Sequence, residues 1–276
     1  MNKLNLIAGM PRSGSTLLCN LLNMNPKFYA TATSPFIDVI HGMRKVFSHN
    51  PTFKTSERDV LYENMRMGIE GFVKGFYGDK NIVFDKCRAW SNNLPLLDTI
   101  LGNQETKVIW TYRNPVDIVS SIESHHQKTI LLESADEANG GDLSTLSKRV
   151  DNCINDGGIV ARPVWLLNDA FETGYSNRIL LISYWDICNN TQETLDKIHA
   201  FIGEENYQYD KKGFIDLKQT TVEFDGLYNY KFPHKIKEGS VKYVKHNVNL
   251  PQSIIEKINH RFSWVNKLMS MQQVEK

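Results

Sequence analysis

The chain has 276 residues, of which 41% are hydrophobic and 23% charged, and its formal net charge is +1. This composition can build a packed core and excludes wholesale disorder. The near-neutral charge argues against bulk attraction to nucleic acid or an anionic membrane, and no run approaches the roughly 18 apolar residues of a membrane span.

In chain order, residues 4–8 read as a short apolar strand, too brief for a signal peptide. Residues 9–14 are a turn, and 15–23 a helix with Leu17, Leu18, Leu21 and Leu22 on one side. A second strand is expected at 28–32, and helices at 35–47, opening at a proline, and at 57–77. A strand at 81–84 ends at Asp85 and Lys86. A helix at 94–101, a strand at 107–112 and a helix at 116–127 follow. Residues 129–142 are polar with Gly140 and Gly141 and read as a mobile loop. Helices at 143–156 and 160–172, a strand at 178–183 and a helix at 191–202 come next. The remainder is turn-rich until a closing helix at 251–269. Strands alternating with helices predict one α/β domain over 1–276, three-layered, with a mostly parallel central sheet and helices on both faces. The four cysteines, Cys19, Cys87, Cys153 and Cys188, lack metal-ligand spacing. They read as free thiols of a cytoplasmic protein, and no metal is expected.

Gly9-Met10-Pro11-Arg12-Ser13-Gly14-Ser15-Thr16 joins a strand to a helix. A glycine-bounded turn there aims backbone N–H groups and the positive helix end at one point, which suits a phosphate. Ser13, Ser15 and Thr16 add hydroxyls, and the Arg12 guanidinium can fork onto two oxygens. The spacing resembles the nucleoside-triphosphate loop, but Ser15 stands where that loop has lysine. A second arginine, Arg113, ends the strand at 107–112, and Ser121 lies eight residues on, two turns into the next helix. Both can converge on one anion if that helix packs back beside the strand.

The two stretches together resemble the donor-binding motifs of sulfotransferases that use 3′-phosphoadenosine-5′-phosphosulfate (PAPS). The run at 9–18 is similar to their 5′-phosphosulfate loop. Tyr112-Arg113-Asn114-Pro115-Val116-Asp117, with Ser121, is similar to their 3′-phosphate motif. The Pro-Arg-Ser-Gly form is closer to tyrosylprotein and bacterial sulfotransferases than to the cytosolic enzymes of animals. The resemblance implies a fold like that of the P-loop nucleotide-binding proteins. It also implies a role for each matching residue. Pro11, Arg12, Ser13, Gly14, Ser15 and Thr16 would hold the 5′-phosphosulfate, and Arg113 and Ser121 the 3′-phosphate. Lys86 would contact the transferring group and leaving oxygen, with Arg12 adding charge. Tyr184, just after a strand, would lie near the nucleotide. The product would be 3′-phosphoadenosine 5′-phosphate (PAP), and no metal would be needed.

The family's usual bases are missing. No carboxylate follows the second strand, and Arg88 stands where cytosolic relatives carry histidine. Asp38 is the first candidate base and His41 the second, with Glu123, His126 and His234 behind them. Lys231, Lys235, Lys237, Lys242 and Lys245 make residues 231–246 basic, as in the late loop that closes over the nucleotide in relatives. Tyr62, Phe72, Phe76, Trp90 and Trp165 are candidates to line an acceptor pocket. The acceptor itself (small molecule, sugar, lipid or peptide) stays open. Two other readings remain: a P-loop kinase or NTPase, with Asp85 as its metal-binding carboxylate, and a nucleotide- or RNA-binding module using 231–246.

Overall fold

A computed structural model describes residues 3–55, 58–102, 105–128, 142–221, 234–245 and 249–267. Its centre is a five-stranded sheet, all parallel, built from β1 (Lys3–Gly9), β2 (Phe28–Thr33), β3 (Ile82–Lys86), β4 (Lys107–Tyr112) and β5 (Ile179–Ser183). The spatial order is β2-β3-β1-β4-β5. From β1 the chain first builds towards one edge and then, with β4 and β5, towards the other. The connections after β1 and β4 therefore part at the carboxyl edge, where open α/β sheets form a crevice.

Apolar side chains alternate between two cores. Leu4, Leu6, Ala8, Val83, Val108 and Trp110 pack on one face with Phe36, Trp90 and Ile118. Ile7, Phe84, Ile109 and Ile182 pack on the other with Leu18, Leu21, Leu22, Leu195 and Ile198. With both faces covered, the central strands show no polar alternation. Each fully buried Leu, Ile or Phe contributes on the order of 1.5–3 kcal/mol.

The helices are α1 (Ser15–Leu22), α2 (Phe36–His49), α3 (Pro51–Thr55), α4 (Arg58–Gly75), α5 (Leu94–Leu101), α6 (Pro115–His126), α7 (Leu146–Ile154), α8 (Ala161–Glu172), α9 (Tyr184–Asn189), α10 (Thr191–Ile202), α11 (Lys211–Ile215) and α12 (Gln252–Arg261). Several bounds correct the sequence reading. Pro35 is the residue that caps α2 rather than its first turn. Strand β3 runs through Asp85 and Lys86, because Lys86 pairs with Ile7 of β1 and Thr33 of β2. The short helices α3, α9 and α11, and a 3-10 turn at Arg88–Asn92, were not anticipated. The closing helix is interrupted at Phe262 and resumes over 263–267. Most of the loop expected at 129–142 lies outside the described residues, as do 231–233 and 246 of the basic segment and the end of the closing helix. All four cysteines are free thiols, with Cys19 and Cys188 buried and Cys87 and Cys153 half-buried.

Candidate functional site

The loop between β1 and α1 is held by backbone geometry and one neighbouring strand. Gly9 has φ 142° and lies so close to β4 that an added Cβ would sit 2.3 Å from the Thr111 carbonyl oxygen. The Met10 N–H donates to that carbonyl at 2.9 Å. The Ser13 hydroxyl donates to the Met10 carbonyl at 2.6 Å and lies 2.7 Å from Thr111 Oγ1. Ser13 is fully buried. Its hydroxyl therefore closes the loop, which differs from the donor role expected for it. Pro11 is buried as well.

Gly14 caps α1 in the left-handed region, φ 86°. Being glycine it offers no side-chain cap, so the first-turn N–H groups of α1 face the loop. A Cβ on Gly14 would meet the Tyr184 ring at 2.6 Å. Tyr184 thus forms a wall of the loop as well as opening α9, where the Ser183 hydroxyl accepts from the Asp186 N–H as cap. Burial pushes the Tyr184 phenol up to about 12, against the opposing pull of Arg113.

Lys86 reaches the same place from β3. Its Nζ donates to Thr16 Oγ1 at 3.0 Å, and the side chain is only 6% exposed. The backbone around it is pinned: the Lys86 N–H donates to Thr31 Oγ1 at 2.9 Å and its carbonyl accepts from the Ser34 N–H at 3.0 Å. Asp85 points to the opposite face, fully buried, and accepts from the Tyr77 hydroxyl and Trp90 Nε1. Burial raises its pKa. A carboxyl placed there supports the fold and does not face the loop as the metal-binding residue of a kinase would.

Arg12 and Arg113 join the loop to α6. Arg12 Nε donates to Ser121 Oγ at 3.3 Å, and its Nη2 lies 3.2 Å from His125 Nε2. Arg113 Nη1 donates to the Arg12 carbonyl at 3.3 Å, while Nη2 donates to the Val244 carbonyl. The Arg113 guanidinium lies 4.6 Å from the Tyr184 ring centre and 5.4 Å from that of Tyr243. Its Nε is 3.9 Å from an Asp117 oxygen that accepts the Tyr243 hydroxyl at 2.7 Å. Arg113 and Ser121 are both buried. Strand β4 and helix α6 thus bring both expected 3′-phosphate residues beside the loop. The described part of the late basic segment supplies Tyr243 and Val244 to the same place.

The candidate bases separate. Asp38 and His41 lie on the exposed side of α2. Asp38 is close enough to Cys87, next to Lys86, to raise the thiol's pKa, although burial is the larger cause. His41 Nε2 is 3.0 Å from the Asn93 side-chain oxygen. Glu123 is buried and accepts a fork from Arg149 at 2.9 and 2.7 Å, which outweighs burial and lowers its pKa. It joins α6 to α7, and the carboxylate is fully engaged there. Among the aromatic candidates, Trp90 is core and Phe72 packs beside Phe36. Trp165 lines a groove between α8 and Phe262, Trp264 and Val265. Sequence reasoning missed Thr111, His125 and Tyr243. A hydroxyl on the strand beside the loop and the i, i+4 spacing of Ser121 and His125 were the available signals.

No curated protein sequence matches this chain. Solved structures do. The sulfotransferase domain from the curacin biosynthetic pathway is 15% identical, with a TM-score of 0.52 over 95% of this chain and 98% of that one. A sulfotransferase from Alicyclobacillus acidocaldarius is 13% identical, with a TM-score of 0.50 over 95% and 92%. Retinol dehydratase in complex with androsterone and the inactive cofactor PAP is 14% identical, with a TM-score of 0.50 over 94% and 79%. At such identities the likeness is one of fold. The sequence itself, over residues 6–208, matches the model of the sulfotransferase family. That stretch contains the loop, Lys86, Arg113, Ser121 and Tyr184, and spans most of the chain, which therefore belongs to the sulfotransferase family.

Proposed function

We propose that this protein transfers a sulfuryl group from PAPS to an acceptor hydroxyl or amine and releases PAP. The observation that carries the reading is the meeting of Lys86 Nζ with Thr16 Oγ1 beside a loop that turns through positive φ at Gly9, Arg12 and Gly14. A fold relative holds PAP, which supports the choice of nucleotide.

In this reading Pro11, Arg12, Ser13, Gly14, Ser15 and Thr16 cradle the 5′-phosphosulfate, Ser13 through its N–H. Arg113 and Ser121 take the 3′-phosphate, and Tyr184 borders the nucleotide. The acceptor heteroatom attacks sulfur as the bond from sulfur to the bridging oxygen breaks. PAP leaves with that electron pair, and the acceptor's proton passes to a base. Charge grows on the bridging and equatorial oxygens, so fixed positive charge is the chain's main contribution. Lys86 and Arg12 supply it. Asp38, exposed and near the end of β3, is the base in this scheme, and His41 stands second. A positioned base adds about 10²–10⁴-fold.

The test is incubation with sulfur-labelled PAPS and a panel of sugar, peptide-tyrosine, lipid and small-alcohol acceptors in EDTA. Acceptor-dependent release of PAP with label on the acceptor is expected. Phosphoryl transfer from ATP with Mg²⁺, and none of the above, would overturn the reading.

A further inference from the structure

Among the described residues, Arg12 is the only non-glycine with positive φ, at 57°. That turn is uncommon for a long side chain. It sends the guanidinium out of the loop towards α6, which meets it with two groups one helical turn apart, Ser121 Oγ at 3.3 Å and His125 Nε2 at 3.2 Å. A guanidinium has only donors, so Nε2 must be the acceptor at this contact. The ring is then neutral, with its proton on Nδ1. His125 is buried at 7% exposure, so its ring is fixed by packing. Contacts at both Nε and Nη2 define the plane of the guanidinium.

We propose that His125 is a positioning residue for the nucleotide: its Nε2 holds the Arg12 guanidinium beside Ser121, between the loop and α6, in the orientation that meets the nucleotide's phosphates. The proposal rests on the PAPS reading above. In the sequence His125 is set apart from its neighbour His126 only by its i, i+4 spacing from Ser121. Burial and the Arg12 contact single it out in the structure.

A double-mutant cycle on PAP affinity tests it, read by calorimetry. His125→Leu should weaken PAP by about tenfold, the effect of one lost hydrogen bond to a charged group. His125→Gln, whose amide oxygen can replace Nε2 as acceptor, should recover affinity to within about threefold of the original protein. In an Arg12→Met background, His125→Leu should add no more than about twofold, because the partner is already gone. Equal losses in both backgrounds, no loss in His125→Leu, or no recovery with glutamine would overturn the proposal. Should the leucine variant fail to fold, His125→Asn replaces it, since the shorter amide cannot reach Arg12. A second readout needs no nucleotide. The ¹⁵N resonances of the ligand-free His125 ring should show a bare Nε2 whose signal moves in Arg12→Met, and a protonated Nε2 would overturn the assignment. Failure of the unaltered protein to bind PAP would sink the PAPS reading, while the ring signal still decides whether His125 holds Arg12.

Discussion

The two ends of the site are built in different ways. At the loop of residues 9–16, backbone conformation and close approach do the holding: positive φ at Gly9, Arg12 and Gly14, and a strand carbonyl against Gly9. At Arg113, groups from separate elements do most of it: the Tyr184 ring of α9, and the Tyr243 ring and Val244 carbonyl of the late segment, with Asp117 of α6 four residues on. A backbone-built site tolerates little change in the chain that forms it. A side-chain-built site can lose one member and keep its fold.

The largest expected effect probes that contrast. Gly9→Ala forces a Cβ against the backbone of Thr111, which cannot move without breaking the pairing of β1 and β4. It should destabilise the fold by about 3 kcal/mol or more, seen as a fall in Tm. Gly14→Ala should cost less, because its main clash is with the Tyr184 side chain. Equal losses would show that the loop is not braced on the strand.

Next comes chemistry at the loop. Lys86→Met keeps the stem and removes the charge beside Thr16. The kcat should fall by at least about 10²-fold, the magnitude of a lost transition-state donor. PAP affinity should fall no more than about tenfold, since Arg12 and the loop N–H groups remain. An unchanged kcat per folded molecule would remove Lys86 from the reaction.

Arg113→Ala examines the other end. Affinity for PAP should drop by about 2–3 kcal/mol, while adenosine 5′-phosphosulfate, lacking the 3′-phosphate, should lose far less. Equal losses would mean that Arg113, through Arg12 and Val244, shapes the loop and not a phosphate site.

The smallest effect lies away from both ends. His199 is buried at 1% exposure, with Nδ1 2.6 Å from the Glu205 carbonyl and Nε2 3.0 Å from the Tyr209 hydroxyl. Burial lowers its pKa. The unfolded chain then binds a proton before the folded one, so stability falls as pH drops below about 6.5. The Tm loss between pH 7 and 5 should shrink in His199→Gln. An undiminished loss would assign the acid sensitivity elsewhere.

The same contrast explains what was legible beforehand. The loop's spacing, its place between a strand and a helix, and the Arg113 to Ser121 interval are local, and they could be read from order alone. So could the parallel sheet, because apolar strands alternate with helices. The burial of Asp85 under Tyr77 and Trp90 could not, nor the arrival of Tyr243 beside Arg113 from 130 residues away, because such contacts depend on how separate segments pack. Ser13 shows the limit within the loop itself: its position was legible, but whether its hydroxyl faced a ligand or the Met10 carbonyl depended on the φ of its neighbours. Glu123 reads as a candidate base in the sequence, and the fork from Arg149 that engages it depends on how α6 and α7 pack.

The central claim is that one chain presents one site for PAP, formed jointly by the loop and the Arg113 end. Calorimetric titration of the protein with PAP in EDTA tests this most directly. One site per chain is predicted, and at 100 times Kd the nucleotide should stabilise the fold by about 2.7 kcal/mol. No heat in EDTA, with binding appearing only as ATP and Mg²⁺ are added, would contradict it.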